Sequence, residues 1–227
     1  TGIHGGNKAL SDTDEIVIYK ANHEANIKPW LVAAQVTGAK IIWWESPCDS
    51  ISFMTRLKRC LSPATKILAI PHASNILGYC YNIAEIKCVV NSITFGRTQI
   101  VVDGVSFSPH RRPDVVSAGA DWYVLSTHKL FGPHAGVLCG LNSRIFGLSL
   151  CNIHDDTNNF QKVFENGTTS YEVCNGICGI GTYFADLAAS PLNARKIATS
   201  LITSMITEEQ INVAYQKIQS TETMILD

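Results

Sequence analysis

Lys129 stands directly after an apolar run, in Ser126-Thr127-His128-Lys129-Leu130-Phe131-Gly132-Pro133-His134, where a solvating charge is out of place. Partial desolvation in such a position lowers an amine's pKa and makes it a nucleophile and proton carrier. An ordinary loop lysine is the competing reading, and for this residue alone the two weigh equally. Asp103 closes the run Ile100-Val101-Val102-Asp103-Gly104. A carboxylate ending a buried strand is costly unless a cation or a donor meets it; a protonated ring nitrogen, a helix N-cap and a metal site all satisfy that need. Ser126 and His128 can donate to phosphate oxygens, although Ser and Thr after strands are also common turn residues. His23, in Asn22-His23-Glu24-Ala25-Asn26, offers a flat ring that can stack on an aromatic ligand and exchange protons with a substrate. Asn75 can bond a phenolic oxygen or a carboxylate, or simply build a turn. His72 and His110 read as structural histidines.

These residues need strands to carry them. Short β-rich runs alternate with longer helical stretches: strands at 15–19, 40–44, 66–70, 99–102, 122–125 and 136–139, and helices near 29–36, 51–61 and 83–93. Pro29 sits where a first helical turn tolerates it, and Gly38 where a helix ends. Apolar strands separated by such helices predict an α/β fold of three layers, a mostly parallel sheet flanked by helices. In that architecture ligands bind beyond the carboxyl ends of the strands. His23, His72, Ser74, Asn75, Asp103, Ser126, His128 and Lys129 all follow strands closely. Residues 142–172 read as a polar loop carrying Asp155 and Asp156, followed by helices near 172–187, 191–206 and 208–226, the last capped by Thr207.

Composition narrows the partners. The 227 residues are 46% hydrophobic and only 16% charged, with a net charge of -1, against about 25% charged in a typical domain. Little surface is left for solvent alone, which suits a missing domain or a second subunit. No basic run points to nucleic acid, and no run of 18 apolar residues is present to cross a membrane. The eight cysteines are scattered; Cys174 and Cys178 read as two positions on a helix turn, so no metal site is expected. The expected location is the cytoplasm.

A pyridoxal 5'-phosphate site needs an aldimine-forming lysine, a carboxylate on the pyridine nitrogen, phosphate anchors and a flat group over the ring. The chain offers one candidate for each. Together these motifs resemble the class V aminotransferases of the cysteine-desulfurase-like branch. The resemblance is carried by His23-Glu24-Ala25-Asn26-Ile27 with Pro29-Trp30, by His72-Ala73-Ser74-Asn75-Ile76-Leu77-Gly78, by Val102-Asp103-Gly104-Val105, and by Asp121-Trp122-Tyr123-Val124-Leu125-Ser126-Thr127-His128-Lys129. It implies a fold-type I large domain over residues 1–190, with an incomplete amino-terminal part. Residues 191–227 then form a helical segment leading to an absent carboxy-terminal domain. It also implies that Lys129 forms the aldimine and Asp103 meets the pyridine nitrogen, with His23 stacked on the ring. Ser126 and His128 hold the phosphate, and Asn75 lies near the phenolic oxygen. Thr168, after Gly167, is implied to reach the neighbouring subunit's phosphate in a homodimer.

The pattern departs from the family in three places. Ser106 stands where desulfurases carry the glutamine that bonds the phenolic oxygen, the amino-terminal phosphate cradle is not evident in residues 1–13, and the carboxy-terminal domain is absent, so none of the eight cysteines matches the sulfur-accepting loop. The expected activity is desulfuration or β-elimination on a small amino acid, ahead of transamination. The alternative is a non-catalytic remnant serving as a binding or oligomerisation module. A dinucleotide-binding domain ranks below both, because no Gly-x-Gly-x-x-Gly follows the first strand.

Overall fold

The computed structural model describes residues 10–45, 50–145, 167–189 and 206–226. Asp155, Asp156 and the helix expected near 191–206 lie outside these residues. In chain order the elements are β1 (Glu15–Tyr19), a 3-10 turn (Glu24–Asn26), α1 (Lys28–Thr37), β2 (Lys40–Trp44), α2 (Ser50–Cys60) and β3 (Thr65–Pro71). Next come α3 (Ile83–Thr94), β4 (Gln99–Asp103), β5 (Trp122–Ser126), a second 3-10 turn (Thr127–Leu130), β6 (Gly136–Gly140) and α4 (Asn142–Ile145). Two long helices, α5 (Tyr171–Ala188) and α6 (Glu208–Leu226), follow.

Local chemistry sets the helix ends. Gly38 adopts φ 78 and its N–H returns to the Ala34 carbonyl, which closes α1. The Asn82 side chain accepts from the Glu85 N–H at the start of α3. Thr207 Oγ1 accepts from the Gln210 N–H at 3.2 Å while Gln210 Oε1 accepts from the Thr207 N–H at 2.9 Å. That reciprocal pair is a capping box starting α6. One stretch differs from expectation: the polar segment after Leu141 begins with α4, where Arg144 Nε donates to Asp121 Oδ1 at 2.8 Å.

The described chain divides into two compact units. The first comprises Thr1–Ser106, Asp114–Val124 and Leu138–Thr168. It holds β1 to β4 and most of β5 and β6 of a sheet whose order is β2-β1-β3-β4-β5-β6. β1 pairs in parallel with β2 and β3, β3 with β4, and β4 with β5. The Leu141 N–H donates to the Asp121 carbonyl and the Thr127 N–H to the Ala135 carbonyl. Residues rising along β5 therefore meet residues falling along β6, so the last strand is antiparallel.

Right-handed crossovers explain the layers. The step from β1 to β2 and the step from β2 to β3 run in opposite directions across the sheet, so α1 and α2 must cover opposite faces. Ile16, Ile18, Ile67, Ala69, Val101 and Trp122 form a core with Trp30 and Ala34 of α1. Residues of the other parity face the second layer. There Tyr19 packs on Trp44, Phe53 and Tyr81 with centroids 4.7, 5.6 and 5.4 Å apart. The expected three-layer α/β arrangement is present.

The second unit comprises Phe107–Pro113, Leu125–Val137 and Thr169–Asp227. The Phe184 and Tyr215 rings join α5 to α6, 5.1 Å apart. Lys217 Nζ donates to the carbonyls of Leu187 and Ala189, both at 2.8 Å, and of Ala188 at 3.2 Å. A cation thereby satisfies the last carbonyls of α5. The Ser108 carbonyl accepts from Tyr215 Oη at 2.8 Å, and Arg111 Nη1 donates to Glu222 Oε2 at 2.8 Å. His110 Nδ1 lies 2.5 Å from Glu222 Oε1, the structural role expected of it.

Candidate functional site

In the first unit the strand order reverses between β1 and β3, and the loops after those strands carry His23 and the 72–78 turn. A buried chain of carboxamides fixes the first loop. Asn22 Nδ2 donates to the Ala69 carbonyl at 2.9 Å, Asn26 Nδ2 to Asn22 Oδ1 at 3.1 Å, and Trp30 Nε1 to Asn26 Oδ1 at 3.1 Å. His23 is exposed between these anchors, and its Nδ1 accepts from the Ala25 N–H at 3.2 Å. An accepting Nδ1 leaves the ring proton of the neutral imidazole on Nε2.

After β3, Ser74 rather than Asn75 builds the turn. Its buried hydroxyl accepts from the Ile76 and Leu77 N–H groups at 3.4 and 3.1 Å, while Asn75 is exposed. Asp103 ends β4 half-buried, and its Oδ1 accepts from the Val105 N–H at 3.0 Å. The donor that its burial requires is thus partly a turn amide. Ser106 lies half-buried in the turns that follow.

His72 Nδ1 and Tyr123 Oη are 2.6 Å apart, and the two rings meet edge-on. Burial pushes the His72 pKa down to about 4. An unfolded histidine takes up its proton near pH 6.5, so stability is expected to fall as pH drops from that value towards 4. Full conversion of the shift overstates the loss for a partly exposed ring; screening leaves about 1–2 kcal/mol. Urea midpoints for the natural chain and His72→Asn at pH 7 and pH 5 test this. Equal pH dependence in the two proteins defeats it.

In the second unit, Ser126, His128 and Lys129 share one short turn. Ser126 Oγ and His128 Nδ1 are 2.6 Å apart, and His134 stacks on His128 with centroids 4.6 Å apart and planes 6° from parallel. Thr127 is the fastener. It is buried, its N–H donates to the Ala135 carbonyl at 2.9 Å, its carbonyl accepts from Gly132, and its hydroxyl bonds Pro133. Phe131 closes the turn in the left-handed region, φ 65. A Cβ on Gly132 would lie 2.6 Å from Ile180 Cδ1, so any other residue there would make the Ile180 side chain shift. Lys129 is exposed, so the described residues do not supply the desolvation expected from its sequence setting.

Thr168 is exposed beside Gly167, whose φ of 98 suits glycine. Thr127, Tyr123 and His134 stand inside the motifs, but nothing in their local sequence marks these roles. Among the described residues no three His, Cys, Asp or Glu side chains form a metal-binding group, and no helix is long and apolar enough to cross a membrane.

The sequence profile of the Aminotransferase class-V family matches residues 3–173, and the chain belongs to that family. It is 33% identical over 213 residues to the aminotransferase-like protein FGM3 of Gibberella zeae, covering 90% of this chain and 52% of that protein. It is 38% identical over 135 residues to the cysteine desulfurase-like protein ustD of Aspergillus flavus, covering 57% and 30%. The crystal structure of the cysteine desulfurase CsdA of Escherichia coli superposes with a TM-score of 0.64 at 19% identity, over 95% of this chain and 73% of that one. The family and fold expected from the motifs are therefore present. The chain spans about half the length, or less, of the curated relatives named here.

Proposed function

We propose that residues 1–190 are the cofactor-binding large domain of a pyridoxal 5'-phosphate enzyme acting on a small amino acid, with 191–227 leading to a carboxy-terminal domain. The observation that carries the reading is the 2.6 Å pairing of Ser126 Oγ with His128 Nδ1 on the turn that also bears Lys129. The mutual bond uses one of the pair's two hydrogens and leaves the other to donate beside the amine, which suits a phosphorylated aldehyde, and the half-buried carboxylate of Asp103 suits a protonated pyridine nitrogen. The donor chemistry fits the group.

Bound there, the cofactor supplies an electron sink for the bonds at the substrate Cα. Lys129 would anchor the cofactor through its amine and, when free, would move the proton to and from that Cα. Ser126 and His128 bind the phosphate, and Asp103 keeps a proton on the ring nitrogen. His23, whose Nε2 keeps the ring proton, covers the ring face and donates to the substrate. Asn75 and Ser106 serve the phenolic oxygen. Desulfuration or β-elimination is favoured over transamination, a preference supported by the likeness to a desulfurase-like protein. We assign Thr168 to the phosphate of a second copy in a homodimer, which the low charge content supports, and place the enzyme in the cytoplasm.

Incubating the protein with pyridoxal phosphate, reducing with borohydride and mapping peptides is expected to find the pyridoxyl group on Lys129. Lys129→Ala is expected to lose that adduct entirely. Equal labelling of both proteins, or labelling of another lysine only, returns the chain to the non-catalytic binding module.

A further inference from the structure

The other end of the same sheet carries a cavity that the proposed chemistry does not use. It lies where β3 and β4 begin, with a volume of about 290 Å³, and its wall includes Lys66, Arg97, Gln99, Arg144, Leu10 and Ile67. The carboxyl ends of these strands, with Asp103, are at the opposite edge. All of these residues belong to the first unit.

The wall presents donors. Lys66 Nζ stands 3.8 Å from Asp14 Oδ1, too far for a full hydrogen bond. Arg144 grips Asp121 through Nε at 2.8 Å, so its two terminal amino groups are not the atoms in that bond. Gln99 accepts from the Trp122 indole through Oε1 at 2.7 Å, which assigns its amide nitrogen, a donor only, to the other end of the group. The group set against the Arg97 guanidinium is the exposed Phe95 ring, 5.8 Å away.

Charge is also out of balance. Asp121 is shared with Lys87 Nζ at 2.5 Å. The nearby carboxylate of Glu15 is engaged by the hydroxyls of Ser62 and Thr65. Among the described residues the wall itself carries Lys66, Arg97 and Arg144 and no carboxylate. A partly desolvated pocket with surplus cations is stabilised by an anion that brings several acceptors to one place.

We infer that this pocket binds a small dianion, a phosphate or a short dicarboxylate. Its volume sits at the small end for ligand pockets, which suits an ion of that size. Arg97 and Lys66 supply the charge, Arg144 a fixed guanidinium and Gln99 an amide donor. The anion that docks here is separate from any phosphate held by Ser126 and His128.

Isothermal titration of the full chain with inorganic phosphate and with succinate tests the inference, with neutral succinamide as control. One saturable site for at least one dianion, silent to succinamide, is expected. Arg97→Gln, a change at an exposed position outside the core, is expected to weaken binding about tenfold or more. Lys66→Gln is expected to weaken it as well, and Ser126→Ala to leave it unchanged. The inference is overturned if neither dianion saturates, if Arg97→Gln binds as tightly as the natural chain, or if Ser126→Ala abolishes binding.

Discussion

Asp121→Ala is expected to cost about 3–5 kcal/mol of stability, the range for removing one partner of a buried ion pair. The carboxylate is 1% exposed. Its Oδ2 accepts from Lys87 Nζ at 2.5 Å and from the Ile100 N–H at 2.8 Å, and its Oδ1 from Arg144 Nε at 2.8 Å. Truncation leaves two side-chain cations and one buried amide without their acceptor. Against total stabilities of about 5–15 kcal/mol, that is a large fraction. Asp121→Asn keeps the shape and one acceptor, so it should fall between the two. Urea unfolding at neutral pH reads the difference as a lowered midpoint with an unchanged slope. A midpoint for Asp121→Ala within experimental error of the natural chain would discard this account of the edge between β4 and α4.

Gly104→Ala is expected to cost about 2–4 kcal/mol. A Cβ on Gly104 lies 2.0 Å from Tyr123 Cε1, 2.3 Å from Cζ and 2.4 Å from the hydroxyl oxygen. The ring cannot step aside freely, because Tyr123 is fully buried and its hydroxyl meets His72 Nδ1 at 2.6 Å. Overpacking alone costs about 1–3 kcal/mol, and losing the Tyr–His bond adds about 1 kcal/mol. Tyr123→Leu makes room for the new methyl group. In a double-mutant cycle the pair should therefore be less damaging than the sum of the single changes. Strict additivity removes the steric explanation.

Much of this arrangement was legible in the residues. The strands were visible because their apolar runs are short, continuous and flanked by polar loops, as buried parallel strands must be. His23, Asn75, Asp103 and Lys129 were picked out because each follows such a run. Thr127 was not, because its importance lies in the carbonyls of Pro133 and Ala135, which only the folded turn brings to it. Gly104, in Val-Asp-Gly-Val, shows no local sign of its constraint, which is the Tyr123 ring arriving from the neighbouring strand. Asp121 carries no local signal either, since Lys87 and Arg144 come from separate helices. Pairwise tertiary contacts of this kind have no periodicity to betray them.

The carboxamide chain from the Ala69 carbonyl to the Trp30 indole has a direction. Each asparagine gives a hydrogen towards the sheet and takes one from the helix side. Aspartate has no hydrogen to give, and an aliphatic residue can neither give nor take. A residue with both capacities on a short arm is needed at positions 22 and 26, so the loop that carries His23 is held by a one-way relay that two amides, and no ionised acid, can transmit.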